Sequence, residues 1–287
     1  MRLSELCHAP CQPDAPKFLV PAPGAIKERF VFAEEAGRKF YAILPRNHEP
    51  TTEPSFNPVI AVVGLSPAMT QIDSFVNEYQ QSSSYDAAAR YCSFRGLSKD
   101  IIEMFDGLGV SKKLGLQFVR RDTLDGHPDV WTTSLVKCAS LTSTDQSSDF
   151  DPSRLKIARS CMTDRFVPEL LNPQFSKLQY IFILGKKGWA AIDKVDRAGR
   201  TIKQLLLGAG KFVLNLPHPS GENGEYVALT KLPGSQFPSC EEYVERRWQT
   251  YRTEPPRKGR AKQSESSYKQ KRRTTWMAVA NLRKGFE

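Results

Sequence analysis

The stretch NLPHPSGENG (215–224) sets a histidine, His218, directly behind the apolar β-forming run KFVLNL and directly before a turn flanked by glycines. A strand ending in an imidazole on a tight loop offers a hydrogen-bond donor at the carboxyl edge of a sheet, where open α/β sheets bind ligands. The plainer reading is an imidazole hydrogen-bonded structurally at a turn. Six cysteines in 287 residues are too few for a disulfide framework, so reduced thiols or a metal are expected of them.

The elements that must position such groups are legible. PVIAVVGL (58–65), VWTTSLVK (130–137), LQYIFILG (178–185) and KFVLNLP (211–217) have the length and bounding turns of buried strands. Segments with helical spacing lie between them, at 98–109, 156–171 and 186–206. This alternation predicts an α/β fold with a parallel sheet and helices on both faces. The strand ends would then converge on one crevice: Gly64-Leu65-Ser66-Pro67-Ala68, Ser134 to Cys138, Gly185-Lys186-Lys187-Gly188 and His218-Pro219-Ser220. A short hairpin is expected within 29–44, and 139–153 reads as a polar loop. The organisation expected is an N-terminal extension (1–57), a main α/β domain (58–250) and a basic C-terminal arm (251–287).

At 40% apolar content the chain can bury one sizeable core. No run approaches 18 consecutive apolar residues, and no apolar stretch follows the single arginine of MRLSELCHAPC. A soluble, intracellular monomer without a membrane partner is expected, in the cytoplasm or at the nucleoid. The formal charge is +10, and from Arg252 onward eleven Lys and Arg stand against three acids, which leaves +8 in that segment. Such a tail reads as extended or partly disordered, either a solubilising segment or an arm that contacts phosphates. Tyr268 and Trp276, interleaved with cations, point to nucleic acid. The chain has no Walker loop, no GxSxG elbow and no GxGxxG.

The strand ends resemble the motifs of the uracil-DNA glycosylase superfamily. GLSPA (64–68) is similar to its first motif and HPS (218–220) to its second. TTSLVKC (132–138) resembles the TNVVKC-type strand of the iron-sulfur branches, and FILGKKGWAAI their ILG-x-x-A segment. The resemblance covers roughly residues 58–226. It implies a three-layer α/β/α sandwich around a mainly parallel four-stranded sheet. It also implies hydrolysis of the N-glycosidic bond of a base flipped out of DNA, leaving an abasic site. His218 would then stabilise the negative charge that grows on the departing pyrimidine. Pro219, Ser220, Gly221 and Asn223, with Lys186 and Lys187, would contact the DNA backbone and offset the cost of unstacking.

Departures from the family pattern bear on the substrate. Ser66 stands where the best-known enzymes carry the acid or amide that handles water, and a hydroxyl can at most orient that water. Phe94-Arg95-Gly96 matches the family's F-x-G, and Asp100 soon after it becomes the first candidate acid, Asp73 the second; either one equally reads as a helix-start or surface acid. Ala68 replaces a tyrosine that excludes 5-substituted pyrimidines, and Ser134 replaces an asparagine that reads the uracil edge. With Gly64, Leu65, Pro67 and Phe94 they would line an enlarged pocket. A pyrimidine with a bulky, polar 5-substituent, of the kind found in phage DNA, is the expected substrate, so the role would be antiviral defence. Uracil excision in repair is the competing expectation, and a catalytically silent DNA-binding homologue another.

Cys138 and Cys161 stand where iron-sulfur branches place two ligands, and Cys7 and Cys11 could complete a [4Fe-4S] centre; free thiols are the alternative. No cofactor is needed for the hydrolysis itself.

Overall fold

The structure is a computed structural model and describes residues 31–41, 56–84, 87–88, 94, 96–119, 124, 127–142, 150–219, 224–255 and 262–287. Cys7, Cys11, Ser220, Gly221 and Asn223 lie outside the described residues. In chain order the elements begin with β1 (Val31–Glu35), β2 (Arg38–Tyr41), β3 (Ile60–Gly64), α1 (Met69–Ser82), α2 (Ser98–Leu108) and α3 (Val110–Leu114). Then come β4 (Val130–Ser134), β5 (Ala139–Thr142), α4 (Lys156–Cys161), a π-helical turn (Met162–Phe166), α5 (Val167–Leu170), β6 (Tyr180–Leu184) and α6 (Gly185–Lys194). The series ends with β7 (Asp196–Arg197), β8 (Arg200–Thr201), α7 (Ile202–Gly208), β9 (Phe212–Leu216), α8 (Gly224–Lys231), α9 (Cys240–Thr253) and α10 (Glu265–Lys284). The chain divides into two compact units, residues 1–98 with 122–216, and residues 99–121 with 217–287.

The first unit is α/β. Its central sheet has the order β4-β3-β6-β9 with all four strands parallel, where a mainly parallel sheet was expected. Strands buried on both faces need apolar, β-branched sequence throughout. One face presents Ala61, Val63, Trp131, Ile181, Ile183 and Val213 to the core formed with the helical segments 156–170 and 185–208. On the other face Ile60, Val62 and Phe182 are equally hidden from solvent.

Two turns in this unit follow one rule. Ala36-Gly37 joins β1 to β2, and Ala198-Gly199 joins β7 to β8; all four residues have positive φ, from 49° to 77°, the twist that tight hairpins require. The second of these hairpins divides the helical segment expected at 186–206 into α6 and α7. Thr201 then caps α7, its hydroxyl accepting from the Gln204 amide at 3.2 Å.

A second sheet, β1-β2-β5, is antiparallel. Its β5 corrects the expectation of a loop from 139: Ala139 and Leu141 pack with Tyr41, Ile72 and Phe75, while buried Ser140 receives the Arg38 guanidinium, Nε to Oγ at 3.0 Å and Nη2 to the carbonyl at 2.9 Å. The period of two was hidden by hydroxyl residues at the alternate positions. Glu35 at the end of β1 accepts the exposed first amides of α4, Lys156 at 2.6 Å and Ile157 at 2.9 Å.

The second unit is helical. α2 passes α8 at Gly107, where a β-carbon would lie 2.2 Å from the Thr230 carbonyl oxygen. The extended or disordered arm expected from Arg252 is not observed over its described part: residues 265–284 form α10, which packs along α9. Tyr268, Val279 and Leu282 are buried on it, a stripe at helical spacing that the surrounding cations obscure. Tyr251 stacks on Tyr268 with centroids 4.1 Å apart. Many of the cations are used internally. Arg247 of α9 and Arg272 of α10 both pair with Glu225, Lys269 bridges Glu245 at 2.7 Å and Glu265 at 2.6 Å, and Arg283 donates to the Leu232 carbonyl at 2.9 Å. Among the described residues no helix is long and apolar enough to cross a membrane.

Candidate active site

In the order β4-β3-β6-β9 the chain leaves β3 toward one side and β6 toward the other. The carboxyl ends of β3 and β6 therefore flank the switch point, where open α/β sheets form their ligand crevice. Two sequence motifs end there. After β6 the chain turns at once into α6 through Gly185, whose φ of 80° excludes most side chains. Gly188 then lets α6 approach the sheet, because a β-carbon would stand 3.0 Å from Ile183 Cγ2. Lys186 and Lys187 are exposed in the first turn of α6.

After β3 the chain enters the loop 64–68. It is stitched to the turn after β4 by two backbone hydrogen bonds beyond the strands themselves: Leu135 donates to the Gly64 carbonyl at 2.9 Å, and Val136 to that of Leu65 at 3.0 Å. Gly64 leaves room beside it. A β-carbon there would meet Phe94 Cζ and Ser134 Oγ, each at 3.4 Å, so two of the expected pocket residues flank the third. Phe94 is 3% exposed and holds φ at 43°. A bulky residue in that region costs about 1–3 kcal/mol and persists only where its surroundings enforce it. Here its carbonyl accepts the Leu97 amide at 3.1 Å and the Ser98 hydroxyl at 3.3 Å.

Pro67 is buried, while Leu65, Ser66 and Ala68 are half-buried. Ala68 precedes α1, and its amide donates to Gln71 Oε1 at 2.7 Å. The motif A-x-x-Q thus supplies the half of a capping box that satisfies the N-cap amide, a signal the sequence reading missed.

The other candidates are dispersed. Asp73 is exposed on α1, one turn beyond the loop. Asp100 lies in the first turn of α2 in the helical unit and is ion-paired with Lys231, which also holds Glu103 at 2.8 Å. Desolvation works against that ammonium, but the hydrogen bonds it donates to Asp100 and Glu103 prevail and hold it above the ordinary lysine value. His218 and Pro219, both half-buried, follow the end of β9 by two and three residues. Tyr226 sits in the first turn of α8, where burial pushes its phenol up to about 12.

Cys138 and Cys161 are 4% and 5% exposed, and the Lys137 amide donates to Cys161 Sγ at 3.3 Å. Their segments therefore meet, as two ligands of one centre would. Among the described residues no group of three or more potential metal ligands gathers.

One buried feature escaped the sequence reading. Lys137, 4% exposed, directs its ammonium inward to Glu169 and the Thr133 hydroxyl. A lysine ending an apolar strand run was the visible signal; the partner far along the chain was not.

No family model, curated protein or solved structure matches the chain at a significant level.

Proposed function

We propose that the chain is a DNA glycosylase of the uracil-DNA glycosylase type, acting on a pyrimidine with a bulky 5-substituent. The reading is carried by one observation: Phe94 and Ser134, which the resemblance makes walls of one base pocket with Gly64, both flank Gly64 at the carboxyl edge of β3, beside the switch point of the parallel sheet. Glycine at 64 keeps side-chain bulk away from both neighbours, and on this reading the aromatic face of Phe94 would stack on the base and the Ser134 hydroxyl would read one polar edge. Ala68 and Ser134 are both shorter than the family's residues, which leaves volume for a substituent.

The resemblance assigns to His218 the donor for the oxygen of the leaving pyrimidine, where negative charge grows as the glycosidic bond breaks. The sugar develops positive charge and is captured by water, which Ser66 orients through its hydroxyl. Lys186 and Lys187, exposed at the start of α6, contact phosphates and help to offset unstacking. A role in excising modified bases from foreign DNA follows from such a substrate.

The ion pair that occupies Asp100 favours a second reading, a DNA-binding homologue without base release. Duplexes carrying uracil, 5-hydroxymethylcytosine or glucosylated 5-hydroxymethylcytosine, incubated with the protein and then treated with alkali, separate the cases. Breaks at the bulky bases are expected; breaks at uracil alone would exclude the enlarged pocket, and binding without breaks would leave the silent module.

A further inference from the structure

The turn 135–138 is bonded to the 64–65 loop through the Leu135 and Val136 amides, and it is anchored a second time through Lys137. Lys137 lies three residues past β4, and its ammonium folds back to donate to Thr133 Oγ1 in the strand. It pairs with Glu169 of α5, itself 8% exposed, and lies over the rings of Trp131 at 5.2 Å and Phe166 at 5.8 Å. The backbone amide of the same residue donates to Cys161 Sγ at 3.3 Å. Lys137 is thus held at its amide by α4 and at its ammonium by α5.

That helical segment has an irregularity where it receives the lysine. Pro168 has no amide to offer the carbonyl four residues back, and the Val167 amide reaches five residues back to the Met162 carbonyl. The resulting π-helical turn carries Arg165 and Phe166, and one turn later comes Glu169. Arg165 Nη2 supports the other oxygen of Glu169 at 3.6 Å. Burying a lone charge is costly, and an apolar pair of similar volume would fill the same space. What the ion pair adds is direction along the turn, whose two preceding amides, Leu135 and Val136, donate to Gly64 and Leu65.

We infer that the buried Lys137–Glu169 pair is a positioning device, tying the turn after β4 to the π-bulged helix and thereby holding Ser134 and the 64–65 loop in register. The mechanical part stands on the contacts alone; the catalytic consequence rests on the glycosylase reading.

The test uses the full chain with Lys137→Met and Glu169→Met combined, and with Lys137→Arg. Hydrogen exchange at the Leu135 and Val136 amides is followed by NMR beside that of Ile181 and Ile183 in β6. In the double variant the first two amides exchange about tenfold faster or more, while the β6 amides keep their protection. The arginine variant restores protection at Leu135 and Val136. Base release by the double variant slows through kcat with unchanged DNA affinity. Wild-type protection at Leu135 and Val136 in the double variant would overturn the inference. Should that variant not fold, Glu169→Gln is read at the same amides with the same two outcomes. Absence of base release by the unaltered protein would defeat the glycosylase reading alone, since the exchange result does not depend on it.

Discussion

The ring of Phe94 lies against the bare α-carbon of Gly64, close enough that a β-carbon added there would stand 3.4 Å from Cζ. That distance is ordinary van der Waals contact, so Gly64→Ala is expected to melt within about 1 kcal/mol of the parent. Gly64→Val carries two further carbons toward Phe94 and Ser134 and is expected to cost about 1–3 kcal/mol by overpacking. Urea denaturation of both variants checks the pair. Equal midpoints would mean that the ring is not fixed where φ of 43° holds it.

His218 leaves β9 two residues past Leu216, a separation that a chain spans in about 7 Å. If the imidazole stabilises the departing base, His218→Ala loses about 10²–10³-fold in base release, the usual cost of deleting one donor to a developing anion. DNA affinity, measured separately by fluorescence anisotropy, stays within about twofold, because backbone contacts carry most of it. Excision at the parent rate would remove the imidazole from the chemistry.

The four parallel strands were legible because each is a short apolar run with turn residues after it, as in IAVVG before Leu65-Ser66-Pro67. That Gly64 and Ser134 stand side by side was foreseen only as membership of one pocket; their pairing depends on strand register, which no local pattern encodes. α10 was missed because six cations between Lys269 and Lys284 outweigh, in composition, the stripe of Tyr268, Val279 and Leu282. Two of them, Lys269 and Arg272, pair with Glu245 and Glu225 from elsewhere in the unit, a pairing visible only after folding. The pair of Lys137 with Glu169 was hidden for the same reason, and the π-helical turn near it could have been suspected from Pro168 inside an apolar helical pattern.

Gly107 tests the helical unit independently of the candidate site. A β-carbon there would lie 2.2 Å from the Thr230 carbonyl oxygen and 2.5 Å from the Lys231 carbonyl carbon, and both are backbone atoms that cannot swing aside. Gly107→Ala gains helix propensity of roughly 1 kcal/mol, yet it must push α8 from α2. Destabilisation of about 3 kcal/mol is expected at the steeper end of overpacking, read as a lowered denaturant midpoint. A variant as stable as the parent would mean that the two helices do not cross at this glycine.

Acidification should loosen the α9–α10 pair before the parallel sheet. Hydrogen bonds from the amide and hydroxyl of Ser239 hold Glu242 below the ordinary glutamate value, and hydrogen bonds from Lys269 and Gln249 do the same for Glu245. A depressed carboxyl contributes stability that is present above its unfolded value, near pH 4, and lost as pH falls through the folded one. Lys269 is held above the ordinary lysine value by Glu245 and Glu265, so its share is present below that value and lost only as pH rises through the folded one. These groups are solvent-exposed and screened by salt, so the effect is small and largest at low ionic strength. Far-UV circular dichroism during urea titrations at pH 7 and pH 3.5 is expected to show a smaller loss on acidification for Glu242→Gln/Glu245→Gln than for the parent. An equal loss in both proteins would assign the acid sensitivity to other carboxylates.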